Sequence, residues 1–272
     1  MTSARDLIDS AQICGREAEQ LVLTLLGRDR AWLFTHDKEP VEAESISVIQ
    51  QALRRREQGE PVAYIIGSRS FWNLELAVTP AVLIPRPDTE LLVEWGVERI
   101  HRAGFERCLD LGTGSGAIAL AIKAECPSCA VTAVDRSAAA LAVAQANGES
   151  CQLQVAWLEG DWFEGLSGQR WPLIVSNPPY VRDEDPHLQR GDLPAEPREA
   201  LAAGPDGLKD LKHLIAMAPD FLEAEGYLLL EHGWDQAAAV RALLLRAGFK
   251  NIETRRDLAG HERVTGGCLD HG

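Results

Sequence analysis

Leu173-Ile174-Val175-Ser176-Asn177-Pro178-Pro179-Tyr180 is an apolar run that ends in an asparagine, two prolines and an aromatic ring. The run reads as a short buried strand. Pro178 and Pro179 have no backbone N–H and a fixed φ, so strand pairing must stop there. What leaves the strand is a stiff turn that presents the Asn177 side chain, the Pro178 carbonyl and the Tyr180 ring. Asn177 offers a carbonyl acceptor beside its NH₂ donors. Such a turn can accept hydrogen bonds from a planar –NH₂ group while an aromatic face packs against it. Asn-Pro alone usually marks an ordinary turn, so the rest of the chain decides what this one does.

Outward from that stretch, strand and helix patterns alternate from residue 106 onward, the signature of a parallel sheet covered by helices. Cys108-Leu109-Asp110-Leu111 reads as the first strand, and Gly112-Thr113-Gly114-Ser115-Gly116 turns into a helix through Ile118, Leu120 and Ile122. Val131-Thr132-Ala133-Val134 is the second, closed by Asp135, with Ser137 placed to cap the next helix. Residues 153–158 form the third, ending near Gly160-Asp161-Trp162-Phe163, and the opening stretch is the fourth. Residues 181–207 are polar and carry four prolines, which at that length points to a functional loop. Tyr227-Leu228-Leu229-Leu230-Glu231 is the fifth strand, and two more are expected near 250–256 and 262–268.

The part before residue 60 reads as helical. Leu21, Val22, Leu25 and Leu26 make one helical stripe, with Gly27 as a stop, and Ile46, Ile49 and Leu53 make another. Arg54, Arg55 and Arg56 follow, either as a solvated helix end favoured by the helix dipole or as a contact for an acidic or RNA partner. Val62-Ala63-Tyr64-Ile65-Ile66-Gly67 is rich in β-formers, and Asn73 between Phe71-Trp72 and Leu74 to Val78 suggests a hairpin. Pro85 and Pro87 hold an extended loop before a helix carrying Leu91, Leu92 and Trp95, a loop that could pack over a ligand with Arg86 and Thr89 near it. The expected domains are a helical substrate-recognition domain over 1–59, a β-hairpin connector over 60–84 and a catalytic domain over 85–272.

Composition narrows the function classes. The 272 residues carry 27 basic against 41 acidic side chains, a net charge of −14. That argues against sequence-independent nucleic-acid binding, which relies on Lys and Arg neutralising phosphates. No apolar run approaches a membrane span and the N-terminus lacks a signal-peptide core, so a cytoplasmic protein is expected. The six cysteines include Cys126-Pro127-Ser128-Cys129, but no second ligand pair has zinc-site spacing. No metal is expected, and the cysteines read as small apolar residues in a reducing compartment. Nothing in the sequence signals an oligomer, and a monomer is expected.

The glycine turn lets backbone approach a ligand at the carboxyl ends of the strands. Gly112-x-Gly114-x-x-Ala117 also satisfies the dinucleotide fingerprint. Asp110 discriminates: a carboxylate two residues before the first glycine repels a pyrophosphate and suits a cationic group, such as the amino group of S-adenosylmethionine, directly or through water. Asp135, 25 residues later at the end of the second strand, can accept both ribose hydroxyls, and Asp161-Trp162 suits an adenine. With a sulfonium methyl beside it, the Asn177 turn suggests N-methylation of an amide or an exocyclic amine. Asn177 Oδ1 and the Pro178 carbonyl can each accept one N–H, and Tyr180 can pack on the planar group.

At these residues the chain resembles the HemK/PrmC family, the N5-glutamine methyltransferases of peptide-chain release factors. The residues that carry the resemblance are Glu60-Pro61-Val62-Ala63-Tyr64-Ile65-Ile66-Gly67, Leu83-Ile84-Pro85-Arg86-Pro87-Asp88-Thr89-Glu90, Leu109-Asp110-Leu111-Gly112-Thr113-Gly114-Ser115-Gly116, Ser176-Asn177-Pro178-Pro179-Tyr180, Glu196-Pro197-Arg198-Glu199-Ala200-Leu201, Glu231-His232-Gly233 and Asp257-Leu258-Ala259-Gly260. The resemblance implies a class I methyltransferase fold: a Rossmann-like α/β domain with a mostly parallel seven-stranded sheet, preceded by a small helical bundle and a β-hairpin connector. It implies S-adenosylmethionine as methyl donor, S-adenosylhomocysteine as product, and the Gln of a Gly-Gly-Gln motif in bacterial-type release factors as acceptor. Gly112, Thr113, Gly114, Ser115, Gly116, Asp135, Trp162 and Asn177 are then expected on the cofactor, with Asn177, Pro178, Pro179 and Tyr180 on the substrate glutamine. Residues 54–56 and the loop after Tyr180 become candidate release-factor contacts. Two rivals use the same turn: glutamine methylation of a ribosomal protein, and adenine-N6 methylation of DNA. The second needs a basic DNA-tracking surface, which an acidic chain does not advertise.

Overall fold

The computed structural model describes residues 2–269. It divides into two compact units, one reaching to Ser68 and including Gln189–Ala195, the other holding Arg69–Leu188 and the chain from Glu196 onward.

The first unit is helical: α1 (Ala4–Ser10), α2 (Gly15–Leu26), α3 (Arg30–His36), α4 (Ala43–Glu57) and α5 (Val62–Ile66). Ser3 and Asp6 form a capping box that starts α1, Asp29 caps α3, and Gly27 in the left-handed conformation ends α2. The two expected stripes face inward, with Leu21, Val22, Ile49 and Leu53 buried in one core. Residues 62–66 differ from expectation, because these β-formers make a helical turn, not a strand. Pro61 sits before the turn, Gly67 ends it at a φ of 85°, and Val62 and Ile65 bury in the same helical core. A short apolar run takes the conformation that its burial partners allow.

The arginine triplet resolves in favour of a structural role for two of its members. Arg56 pairs with Glu17 at 2.8 Å and with Asp192 at 2.7 Å, and Arg55 pairs with Glu60. Of the three, only Arg54 is exposed.

The second unit begins one residue into the hairpin of β1 (Ser68–Phe71) and β2 (Leu74–Ala77), which turns at Trp72 and Asn73 as expected. A 3-10 turn over Pro87–Thr89 leads into α6 (Glu90–Ala103). Then follow β3 (Arg107–Leu111), α7 (Ala117–Glu125), β4 (Ala130–Asp135), α8 (Ala138–Ser150), β5 (Ala156–Glu159) and β6 (Trp171–Ser176). After short 3-10 turns come α9 (Lys209–Phe221), β7 (Leu222–Glu231), α10 (Ala237–Arg246), β8 (Phe249–Arg256) and β9 (Glu262–Leu269). The seven-stranded sheet has the order β5-β4-β3-β6-β7-β9-β8. Its first five strands are mutually parallel, and β9 runs antiparallel to both β7 and β8.

The pleat alternates side chains between two cores. Leu173 and Val175 of β6 pack with α6 and α7 on one face, while Ile174 packs with α9 and α10 on the other. The chain runs β3, β4, β5 in one direction, then returns to lay β6 on the opposite side of β3. The strand order therefore reverses between β3 and β6, where open α/β sheets bind ligands. Register sets the two ends level: Leu111 pairs with Ser176, and the Ser176 hydroxyl donates to the Leu111 carbonyl at 2.7 Å. The glycine turn and the proline turn thus leave the sheet side by side.

Cys108, Cys126, Cys129 and Cys268 are buried. Burial raises the Cys129 thiol to about 11, so it is a poor nucleophile at neutral pH. Among the described residues, no helix is long and apolar enough to cross a membrane, and no cluster of three or more His, Cys, Asp or Glu could hold a metal.

Candidate active site

A cleft opens where these strands end, of about 770 Å³ counted out to open solvent. Gly112 and Gly114 follow β3, Asp135 ends β4, Gly160 to Trp162 follow β5, and Asn177 and Pro179 follow β6. All line the cleft.

The five expected turn residues separate into two groups. Gly112, Gly114 and Gly116 all have left-handed φ values, of 72°, 57° and 84°. A Cβ on Gly112 would meet the Trp162 ring at 3.2 Å, whereas one on Gly114 would meet nothing within 4 Å. Gly112 is therefore the floor under an indole and Gly114 the open lip. Thr113, Ser115 and Gly116 do not line the cleft. Thr113 and Ser115 are buried, and Gly116 packs against Trp157, where a Cβ would come within 3.0 Å. The Thr113 hydroxyl donates to Asp110 at 2.6 Å, and the Ser115 carbonyl accepts from Asn147 at 2.9 Å.

Asp110 departs from expectation. It does not face the cleft but lies fully buried beneath the turn, with Oδ2 accepting from Thr113 and Oδ1 left without a partner. Burial raises its pKa to about 7, opposed by the Thr113 hydrogen bond. Its folded pKa lies above the unfolded value, so the native state binds more protons and stability falls as pH rises from about 4 to about 7. Asp110→Asn removes this ionisation. The melting temperature of the variant relative to wild type is expected to improve from pH 5 to pH 8, as read by calorimetry. A pH-independent difference would contradict the assignment.

Asp135 does stand at the cleft edge. Its two oxygens accept from Gly114 N–H at 2.8 Å and Ser137 N–H at 2.9 Å, which fixes the carboxylate plane and leaves lone pairs on both atoms. Trp162 holds a left-handed φ of 54°, unusual for an aromatic residue, which turns its ring back over Gly112.

The proline turn is held from several sides. Asn177 Nδ2 donates to Thr89 Oγ1 at 3.2 Å. Pro178 is buried, Pro179 lines the cleft, and the half-buried Tyr180 donates its hydroxyl to Glu231 Oε1 at 3.2 Å. Burial pushes the Tyr180 phenol well above its ordinary pKa and the buried Glu231 carboxyl up to about 7. The Tyr180 carbonyl accepts from Gln236 Nε2 at 3.0 Å, and Val181 bridges to the long loop at Leu201 and Ala203.

Gly207 closes this clamp at a φ of 69°, where a Cβ would come within 2.4 Å of the Tyr180 carbonyl oxygen. Gly207→Ala is expected to cost about 2 kcal/mol or more, from left-handed strain plus overpacking. Urea denaturation should show a lower midpoint; an unchanged midpoint would mean that the loop yields without strain.

Sequence reasoning missed several walls of the cleft. Ala81 and Val82 precede the Pro85 loop, Pro197, Glu199 and Ala200 come from the long loop, and Asp210 from α9. Pro197, Glu199 and Ala200 lie in a motif that marked the family and in a stretch read as a functional loop, but the sequence did not assign them to this cleft. Of the loop residues named near a ligand, Thr89 touches Asn177, but Arg86 does not line the cleft. Arg86 pairs with the buried Glu196, which also accepts from Ile84 N–H at 3.2 Å.

Similarity to known proteins bears on this arrangement from both ends of the chain. A family model described as the PrmC N-terminal domain matches residues 2–67, and the Methyltransferase small domain matches residues 88–194. A release factor glutamine methyltransferase of Bordetella pertussis is 50% identical over 270 residues, covering 99% of this chain and 100% of the relative. One from Escherichia coli K12 is 45% identical over 92% of this chain and 90% of its own. Among solved structures, a methyltransferase from Pyrococcus furiosus aligns over 81% of this chain and 99% of its own with a TM-score of 0.55 and 16% identity. The Thermus thermophilus 16S rRNA N2 G1207 methyltransferase, solved with AdoMet and guanosine, aligns over 74% of this chain and 49% of its own with a TM-score of 0.56 and 21% identity. At those identities the structures speak for the fold, a class I methyltransferase sheet. The near-full-length identities go further: this chain belongs to the release factor glutamine methyltransferases and is an S-adenosylmethionine-dependent methyltransferase.

Proposed function

We propose that the protein transfers a methyl group from S-adenosylmethionine to the side-chain amide nitrogen, N5, of the glutamine in the Gly-Gly-Gln motif of peptide-chain release factors. The observation that carries this reading is the register between β3 and β6, which sets the glycine turn and the Asn177 turn in one cleft. A donor seat and an acceptor seat are then neighbours.

The cleft fits the cofactor on its own chemistry. Asp135 offers two oriented acceptors for a ribose diol, Gly114 leaves backbone open, and the Trp162 ring supplies an apolar face. When bound, S-adenosylmethionine supplies an electrophilic sulfonium methyl group. Asn177 Oδ1 and the Pro178 carbonyl each accept one N–H of the substrate amide. A carboxamide nitrogen is a poor nucleophile because its lone pair is delocalised. Two fixed acceptors favour positive charge on that nitrogen and hold it in line for displacement. Tyr180 packs against the planar amide. The methylated amide is acidic while charged and releases its proton after transfer, so no side chain is assigned as general base.

Residues 1–59 serve release-factor recognition, 60–84 the connection and 85–272 catalysis, in a cytoplasmic enzyme. The test is transfer of a labelled methyl group to purified release factor, ribosomal protein and duplex DNA in parallel. Label on the release factor alone is expected. Label on DNA or only on a ribosomal protein would replace this reading with one of its rivals.

A further inference from the structure

Asn147 and Gly148 sit near the end of α8, inside a helix otherwise rich in alanine, where both are poor helix formers. Each has a tertiary reason. A Cβ on Gly148 would come within 3.1 Å of the Trp157 ring, and Asn147 is buried, 2% exposed, with its whole amide engaged. Its Oδ1 accepts from Ala77 N–H at 2.7 Å. Its Nδ2 donates to the Ala77 carbonyl at 3.0 Å and to the Ser115 carbonyl at 2.9 Å. Only one orientation of this amide satisfies all three partners, because a backbone N–H can only donate and a carbonyl can only accept.

The three bonds join two separate walls of the cleft. Ala77 ends β2, and the asparagine pairs with both of its backbone groups as a neighbouring strand would. Past Ala77 come the buried Val78 and a turn in which Val82 N–H donates to the Thr79 carbonyl at 3.1 Å. That turn delivers Ala81, Val82 and Leu83 to the cleft. Ser115 belongs to the glycine turn, whose Gly112 and Gly114 line the same cleft. Asp110 and Asp135 hold the glycine turn from the strand ends beside it, at Thr113 and Gly114. Asn147 ties it to a different segment of the chain, and does not itself line the cleft.

We propose that Asn147 is a positioning residue for the methyl donor: from outside the cleft it fixes the separation between the glycine turn and the wall at residues 81–83, and so the width of the cofactor seat. This rests on the reading of the cleft as that seat. Asn147 touches neither donor nor acceptor. Its effect falls on cofactor affinity and not on the chemical step, because the groups assigned to the acceptor amide, on Asn177 and Pro178, follow β6 and are not part of this bracket.

The test is calorimetric titration of the full chain with S-adenosylhomocysteine, beside single-turnover methyl transfer at saturating donor. Asn147→Leu fills the site and removes all three bonds. Asn147→Asp keeps the shape and the acceptor for Ala77 N–H, but turns an oxygen towards the two carbonyls. Each variant is expected to raise the dissociation constant about 10-fold, with the transfer rate at saturating donor unchanged. Leu244→Ala, which opens a cavity in the core beside α10, controls for lost stability alone. It is expected to lower the melting temperature and leave the dissociation constant at the wild-type value. An unchanged dissociation constant in both Asn147 variants, or an equal rise in Leu244→Ala, would overturn the positioning role. Asp135→Ala separates this from the reading beneath it. Wild-type affinity in Asp135→Ala would defeat the cofactor seat and the positioning role with it, whereas a large loss there beside unchanged Asn147 variants would defeat the positioning role alone.

Discussion

Asn177→Ala is expected to lower kcat by about 1,000-fold or more, while the cofactor dissociation constant rises only a few-fold. The asparagine supplies the one side-chain acceptor among the groups assigned to the substrate amide. Its loss leaves a buried N–H of the substrate unpaired at the moment when positive charge develops there. The turn itself should survive, because Pro178 and Pro179 stiffen it and the Ser176 and Tyr180 anchors do not involve the Asn177 side chain. Single-turnover kinetics with calorimetric cofactor binding separate the two effects. An equal loss of kcat and affinity would mean that Asn177 binds the donor and does not orient the acceptor.

Asp135→Ala is expected to act on the other side of the cleft, raising the cofactor dissociation constant about 100-fold, the worth of two hydrogen bonds to a charged acceptor. Part of that loss comes from the turn, because the carboxylate also holds the Gly114 and Ser137 N–H groups. Asp135→Asn keeps one acceptor oxygen and should fall between wild type and alanine. Calorimetric titration of the cofactor checks this order, and an unchanged affinity in the alanine variant would remove Asp135 from the ribose.

The parts of this molecule that were legible in the sequence are those where local chemistry leaves no choice. Two consecutive prolines end a strand in any context, and the glycines of the turn after β3 adopt φ values that side chains resist. The apolar runs named the central strands because both faces of a parallel sheet are buried. Legibility failed where the tertiary partner decides. Val62–Ile66 has strand formers but became helix, because its apolar side chains complete a helical core. Asp110 looked like a ligand contact and lies under the turn. Arg56 read either as a solvated helix end or as a docking charge and is spent on Glu17 and Asp192. Glu231 could be read only as an acid at a strand end, since its partner Tyr180 comes from a distant segment.

In the proposed reaction an amide nitrogen of a protein glutamine sits between the Asn177 turn and the methyl donor. Fragment-ion mapping of release factor after incubation with the enzyme and S-adenosylmethionine tests it most directly. A single added methyl group on the side-chain amide of the Gly-Gly-Gln glutamine, absent with Asn177→Ala, is the result expected. A methyl group on any other residue, or on that glutamine at an undiminished rate with the variant, would contradict it.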